Sequence, residues 1–90
     1  MEYKIIHLED KHRFETEVEG YVGYVVYRVF DGCLDIVHTI VPQPIEGRGV
    51  AASLVKAAYT YALENNLRPQ GTCSYAAVWL KRHPEYKKLF

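Results

Sequence analysis

The chain has 90 residues, 49% of them hydrophobic and 24% charged, which is enough for one domain and too few for two. Its formal net charge is zero, and this argues against a nucleic-acid surface, because such surfaces carry an excess of lysine and arginine. No segment approaches the ~20 apolar residues of a membrane span, and no secretory signal pattern opens the chain. The two cysteines, Cys33 and Cys73, have no paired spacing, which predicts a reduced, cytoplasmic protein without a disulfide framework.

The first half of the sequence predicts four strands. Residues 3–8 form a short apolar run, and residues 13–19 alternate between apolar and acidic side chains, as in a strand with one solvated face. Residues 21–30 are apolar on both faces and predict a central strand. Asp31-Gly32 is typical of a type I′ hairpin turn, so residues 34–41 form the returning strand, which Pro42 ends.

The second half changes to helical periodicity. Apolar residues recur at helical spacing across residues 47–65, a weak strand covers residues 67–72, and a second helix covers residues 74–82. Pro84 then opens a last turn. This order predicts one domain over residues 1–90, of the α/β (α+β) class, with a mixed, mostly antiparallel sheet of about five strands and two to three helices.

The loop Gly47-Arg48-Gly49-Val50-Ala51 lies between the fourth predicted strand and the first predicted helix. Glycines there allow backbone N–H groups to approach a ligand, and the helix N-terminus adds unpaired donors with a partial positive charge. Both features favour a phosphate or pyrophosphate, to which Arg48 would add a charge-assisted contact. The alternative is a loop that only needs positive φ, since neither nucleotide-binding fingerprint is complete.

Cys73 lies just before the second predicted helix. A thiol at a helix N-terminus can have a lowered pKa and more thiolate, and Thr72 and Ser74 are candidate caps of the same helix. The alternative is a small buried apolar residue at the end of a strand. Cys33, beside the hairpin turn, is interpreted as structural.

His38 lies in the middle of the fourth predicted strand. By alternation it shares a face with three apolar residues, Leu34, Ile36 and Ile40. This is typical of a hydrogen-bonded core histidine, but a position across the sheet from Cys73 would allow it to act as a base or to orient a water. Asp35 alternates onto the other face, which argues against a Cys–His–Asp triad. No metal site is predicted, because the histidines and cysteines show no ligand pairs at a known spacing.

Four segments, taken in order, carry a resemblance to a known family. They are Leu34-Asp35-Ile36-Val37-His38-Thr39-Ile40-Val41-Pro42, Gly47-Arg48-Gly49-Val50-Ala51, Thr72-Cys73-Ser74-Tyr75 and His83-Pro84-Glu85-Tyr86. With them the chain resembles the GNAT acetyltransferase superfamily, most closely its small single-domain branch of similar length. The resemblance extends from about Tyr3 to Tyr86.

The resemblance implies acetyl-CoA as a cosubstrate. The residues that it implies for cofactor binding are Ile40, Val41, Glu46, Gly47, Arg48, Gly49, Val50, Ala51 and Ser74. Gly49 and Ala51 match the superfamily motif, whereas Glu46 replaces its Gln or Arg. Because a carboxylate repels a pyrophosphate, the Glu46 side chain is expected to point away from the ligand while the backbone still donates. Backbone groups of Ile40 and Val41 are expected to bind the pantetheine arm as an added strand would, and one of their N–H groups to polarise the thioester carbonyl.

The resemblance also implies N-acetyltransferase activity toward an unidentified amine. A cysteine matching Cys73 lies near the CoA sulfur in the small branch, which implies a covalent step there as an alternative to direct attack by the amine. His38 and Tyr75 are the other candidate catalytic residues, and Tyr75 would protonate the departing thiolate. The acceptor pocket that longer members contain is expected in this chain to be open, completed by a partner subunit or missing. This favours a protein or peptide acceptor and a monomer or weak homodimer. The alternative is a CoA-binding module without turnover.

Overall fold

A computed structural model of the chain describes residues 3–87. The elements follow the predicted order: β1 (Ile6–Leu8), β2 (Arg13–Val18), β3 (Tyr21–Phe30), β4 (Cys33–Ile40), α1 (Val50–Glu64), β5 (Arg68–Gly71) and α2 (Ser74–Arg82). Short 3-10 helices lie at Glu9–Lys11, Gln43–Ile45 and Pro84–Tyr86, and the last of them is the turn predicted at Pro84. Over the described residues, no helix combines the length and the apolar character that a membrane crossing requires.

The strands form one sheet in the order β1-β2-β3-β4-β5. Neighbouring strands are antiparallel except β4 and β5, which are parallel because α1 carries the chain back between them. This mixed, mostly antiparallel sheet with two α-helices confirms the predicted fold class. Three elements begin later than predicted: α1 begins at Val50 instead of residue 47, β1 at Ile6 instead of residue 3, and β5 at Arg68 instead of residue 67.

Both α-helices pack on one face of the sheet, which we call the inner face. The buried residues that join the sheet to α1 are Phe14, Val25, Tyr27, Ile36, Leu54, Val55 and Ala58. Complete burial of a side chain such as Leu54 contributes about 1.5–3 kcal/mol to the stability of the fold. Gly71 allows α2 to pack directly on β5, because a Cβ at this position would lie 2.7 Å from the backbone nitrogen of Ala77.

The hairpin between β3 and β4 has the predicted turn chemistry. Asp31 and Gly32 both adopt positive φ, of 49° and 74°, as the two central residues of a type I′ turn must. The turn therefore sets the register in which β4 returns along β3.

A β-bulge interrupts the alternation of β4. Val26 pairs with His38 and Tyr27 pairs with Ile36, which leaves Val37 as an extra residue between two paired positions. Beyond Val37 the two faces of the strand are exchanged relative to strict alternation. Thr39 therefore lies on the inner face, opposite the fully buried Val25.

The sheet opens between β4 and β5. The two strands pair only along residues 33–36 and 68–71, so one edge of residues 37–40 has no neighbouring strand in the part of the chain that the structure describes. Asp35, fully buried, lies where they separate. Its carboxylate accepts hydrogen bonds from the Thr72 N–H at 2.7 Å, from the Thr72 hydroxyl at 2.6 Å and from Arg28 at 3.4 Å. Asp35 thus holds the strand end that leads into Cys73.

Candidate functional site

A groove of about 540 Å³ lies beside the open edge of β4. Four parts of the chain contribute to it: the end of β4, the loop before α1, the first turn of α1 and the first turn of α2. The lining residues are Thr39, Ile40, Val41, Ile45, Glu46, Gly47, Gly49, Val50, Ala51 and Tyr75. They include every residue predicted to bind the cofactor except Arg48 and Ser74.

The N-terminus of α1 forms one wall of this groove. Gly47 and Gly49 both adopt left-handed φ, of 78° and 77°, and a Cβ on either would meet no atom within 4 Å. These glycines are therefore required for backbone conformation and not for internal packing. The first helical hydrogen bond runs from the Ser53 N–H to the Gly49 carbonyl, so the N–H groups of residues 49–52 have no acceptor within the helix. No side chain caps them and the first turn has no acidic residue, so this wall favours an anion.

Arg48, at the centre of the loop, points out of the groove. Its guanidinium donates a hydrogen bond to the Glu19 carboxylate at 2.6 Å, in the turn between β2 and β3. This hydrogen bond and the attraction between the charges lower the pKa of Glu19 and raise the pKa of Arg48. The Arg48 carbonyl in turn accepts a hydrogen bond from the Tyr3 hydroxyl. Arg48 therefore attaches the loop to the rest of the protein, and the donors that remain at the start of α1 are backbone N–H groups. Glu46 lines the groove and is exposed.

Cys73 connects the two separating strands. Its Sγ lies 3.4 Å from the hydroxyl oxygen of Thr39 on β4. Burial by itself raises the pKa of Cys73, but hydrogen bonds from the Thr39 side chain and from the backbone N–H groups of Ala76 and Tyr75 outweigh it, so the net effect is a lowered pKa. The thiol predicted at a helix N-terminus is found there, and the amides at the start of α2 favour its thiolate.

The predicted face of His38 is wrong. Strict alternation places it with Leu34 and Ile36, but the bulge at Val37 moves it to the opposite face, where it is exposed. Thr39, which is not among the predicted site residues, takes the position facing Cys73. The sequence contains no signal for the bulge, because the extra residue is an ordinary strand-forming valine.

The other residues at the start of α2 differ in their relation to the groove. Thr72 does not cap the helix as predicted, because its hydroxyl donates to Asp35. Ser74 is exposed and lies outside the groove lining. Tyr75 lines the groove. Burial of its ring raises the pKa of its hydroxyl group more than the positive charge of Arg82 lowers it, so this hydroxyl is protonated at neutral pH. Among residues 3–87, no three His, Cys, Asp or Glu side chains come together as a metal site would need.

The lowered pKa of Cys73 predicts a distinctive pH profile for modification of its thiol. In a Cys33→Ala background, the rate of alkylation by iodoacetamide follows the thiolate fraction, and its midpoint is expected below the value of about 8.5 for free cysteine. A Thr39→Val substitution removes a hydrogen bond that favours the thiolate, so the midpoint is expected to rise. Thr60→Val, in α1, serves as the control and should leave it unchanged. Equal midpoints for Thr39→Val and the parent would contradict the assignment.

The fold and the groove place the chain among α/β domains whose mixed sheet opens beside a helix N-terminus. The sequence profile of the GCN5-related N-acetyl-transferase family matches residues 13–89. The chain therefore belongs to the GCN5-related N-acetyltransferase family, and the resemblance seen in the sequence is confirmed.

Individual relatives agree with this assignment. Protein NATD1 from Bos taurus is 41% identical over 51 residues, which cover 57% of this chain and 45% of that protein. Protein NATD1 from Homo sapiens is 39% identical over 51 residues, with the same coverage. The matched region thus spans less than half of these relatives. A GCN5-like protein from Staphylococcus aureus, whose structure was solved by NMR, superposes on this chain with a TM-score of 0.72 at 31% identity. The superposition covers 93% of this chain and 83% of the chain from S. aureus.

Proposed function

We propose that the chain is an acetyl-CoA-dependent N-acetyltransferase whose acceptor is an amine on a protein or peptide. The observation that carries this proposal is one groove shared by the open edge of β4, the N-terminus of α1 and the start of α2. Family membership supports the reaction class. The groove volume of about 540 Å³ lies within the range of roughly 300–1,000 Å³ that small-molecule sites occupy.

Acetyl-CoA would be held mainly by backbone groups. The unpaired N–H groups of residues 49–52 would donate to the pyrophosphate, and Ile40 and Val41 at the open edge would pair with the pantetheine arm. Arg48 would act through its ion pair with Glu19, which fixes the loop. Glu46 is exposed, so solvent screens its carboxylate and reduces repulsion of the bound anion.

The chain's own residues support a covalent route. The Cys73 thiolate would attack the acetyl carbonyl and form a new C–S bond, while the CoA sulfur departs and takes a proton from Tyr75. The neutral amine would then attack the acetyl-cysteine carbonyl, expel the Cys73 sulfur as a thiolate and give its proton to the Tyr75 oxygen, which restores both residues. A backbone N–H of Ile40 or Val41 would stabilise the oxyanion in each step. His38 has no part in this arrangement, because it lies on the other face of the sheet.

Acetyl transfer to a panel of amines and lysine peptides tests this proposal. For the covalent route, Cys73→Ala is expected to reduce transfer by roughly 100-fold or more while binding of acetyl-CoA persists. The intact mass of the parent should show one acetyl group after incubation with acetyl-CoA without acceptor. Cys33→Ala is the matched control and should behave as the parent in both assays. Transfer by Cys73→Ala at the parent's rate would support direct attack by the amine instead.

A CoA-binding module without turnover is the second candidate function. The open acceptor side favours it, because Ile40 and Tyr75, which line the groove, are 45% and 42% exposed. Such a module would bind acetyl-CoA as the enzyme does but transfer no acetyl group to any acceptor in the panel. Binding and transfer measured on the same preparation therefore separate the two functions.

A further inference from the structure

The face of the sheet turned away from α1 and α2 has an ordered pattern of side chains that the proposed function does not use. We call it the outer face. It consists of the residues of β1–β4 that alternate with the buried ones. Its exposed apolar residues are Ile6, Val22, Phe30 and Ile40, which are 48%, 37%, 40% and 45% exposed. An uncovered sheet face that exposes several large apolar residues is a candidate surface for binding another protein.

The strand register arranges the centre of the outer face in three parallel rows. One row consists of Arg13, Val26 and His38, the middle row of Glu15, Tyr24 and Ile40, and the last row of Glu17 and Val22. The first row contains the cationic Arg13 at the position where the last row contains the anionic Glu17. In each row a valine, Val26 or Val22, lies next to the charged residue. The middle row lies between the first and the last row, at the same distance from each. The charges of the first and last rows are therefore complementary when the pattern is turned around the middle row, where Glu15 would face Glu15 of the other copy while paired with Arg13 of its own chain.

We propose that the outer face binds the outer face of a second copy of this chain, with a two-fold axis running across the strands along the middle row. This rotation exchanges the first and last rows, so Arg13 of each copy meets Glu17 of the other and Val26 meets Val22. Tyr24 meets Tyr24 on the axis. Two sheets packed face to face lie about 10 Å apart, a distance that arginine and glutamate side chains can span together.

The environment of Arg13 supports this orientation. Its guanidinium carbon lies 3.6 Å from the centre of the Tyr24 ring, so the charged group is held flat on the outer face. Its Nε lies 3.2 Å from the Glu15 carboxylate and is buried without a hydrogen bond among the described residues. Arg13 is thus held in place on the outer face, and 31% of its side chain is exposed and can meet a second carboxylate.

The size of the surface indicates how strong the association should be. The ten residues of β3 extend over about 33 Å, and the axes of four strands span about 14 Å. Together these lengths outline about 460 Å², less than the roughly 800 Å² per partner that a stable interface of standard size buries, so the association should be weak. We therefore expect a dissociation constant in the micromolar range. Because Ile40 belongs both to the outer face and to the groove, the second copy would lie beside the open acceptor side.

Charge exchange in the full chain tests the two-fold arrangement. Arg13→Glu should prevent self-association by setting two carboxylates against each other, and Glu17→Arg should do so by setting two guanidinium groups together. An equimolar mixture of the two variants should associate again, because each copy then supplies the charge that the other lacks. The double variant should also self-associate. Glu64→Arg, on the exposed end of α1, is the control and should associate as the parent does.

Sedimentation equilibrium from about 10 µM to 1 mM measures all of these outcomes. The expected result is a parent whose average mass rises from 10.4 kDa toward twice that value, single variants at least tenfold weaker, and recovery in the mixture. Circular dichroism confirms that each variant is folded. A parent protein that remains monomeric at 1 mM would overturn the proposal, and the outer face would then be a surface for a different partner. Self-association unaffected by either charge reversal, or no recovery in the mixture, would overturn the two-fold arrangement.

Discussion

A Gly49→Val variant is expected to bind acetyl-CoA at least tenfold more weakly than the parent. Gly49 precedes α1 with φ of 77°, a conformation that costs other residues about 1–2 kcal/mol and a β-branched residue more. The variant relieves this strain by rotating the backbone, which turns the N–H groups of residues 49–52 away from the groove. Loss of even one charge-assisted hydrogen bond, at about 1.5–3 kcal/mol, is a factor of ten or more in affinity. Isothermal titration calorimetry measures the change.

Gly32→Val is the matched control for this variant. Gly32 has φ of 74°, and a Cβ there also meets no atom within 4 Å, but it lies in the β3–β4 hairpin and outside the groove lining. Both substitutions should therefore lower the free energy of unfolding by similar amounts. Only the substitution at Gly49 should reduce affinity for acetyl-CoA. Equal affinities for the two variants would show that the α1 N-terminus does not bind the ligand.

An Asp35→Ala variant is expected to lose about 3 kcal/mol of folding stability, the largest effect that we expect from a single substitution. Asp35 is fully buried and accepts hydrogen bonds from the Thr72 N–H, the Thr72 hydroxyl and Arg28. Removing the carboxylate leaves the Thr72 hydroxyl without its acceptor and weakens the attachment of β5 to β4. In a domain of this size the melting temperature should fall by roughly 12–24 °C. Chemical denaturation measures the free energy of unfolding directly.

Two further variants test whether the hydrogen bonds of Asp35 account for this loss of folding stability. Asp35→Asn keeps the shape and one carbonyl oxygen, so it should cost about half as much as Asp35→Ala. Asp10→Ala, at an exposed position, should change stability by less than about 0.5 kcal/mol. A cost below about 1 kcal/mol for Asp35→Ala would mean that these hydrogen bonds do not hold β5 in place.

The order of the elements could be predicted from the sequence because it depends on local patterns. The alternation of residues 13–19, the positive φ required at Asp31-Gly32 and the helical spacing after Gly49 each act over a few residues. The loop before α1 was found for the same reason, since its glycines and the following helix are adjacent in sequence.

The arrangement around Cys73 could not be predicted, because it depends on contacts between distant residues. Thr72 lies 37 positions from the Asp35 carboxylate that binds it, and Arg48 lies 29 positions from Glu19. The bulge at Val37 depends on how β4 fits against β3, and one extra residue was enough to exchange His38 for Thr39. Alternation is reliable within a regular strand, but a single insertion reverses every later position.

The most direct test of the account is an NMR titration of the protein with acetyl-CoA, followed by backbone amide shifts. We expect the largest shifts at residues 40–41, 47–52 and 75, which combine the open edge of β4 with the N-termini of both helices. A second cavity, of about 560 Å³ and lined by Tyr3, Phe14, Lys56 and Tyr61 among others, is slightly larger but includes no helix N-terminus. Shifts confined to that cavity, or none at millimolar acetyl-CoA, would contradict the proposal that the groove beside β4 binds the cosubstrate.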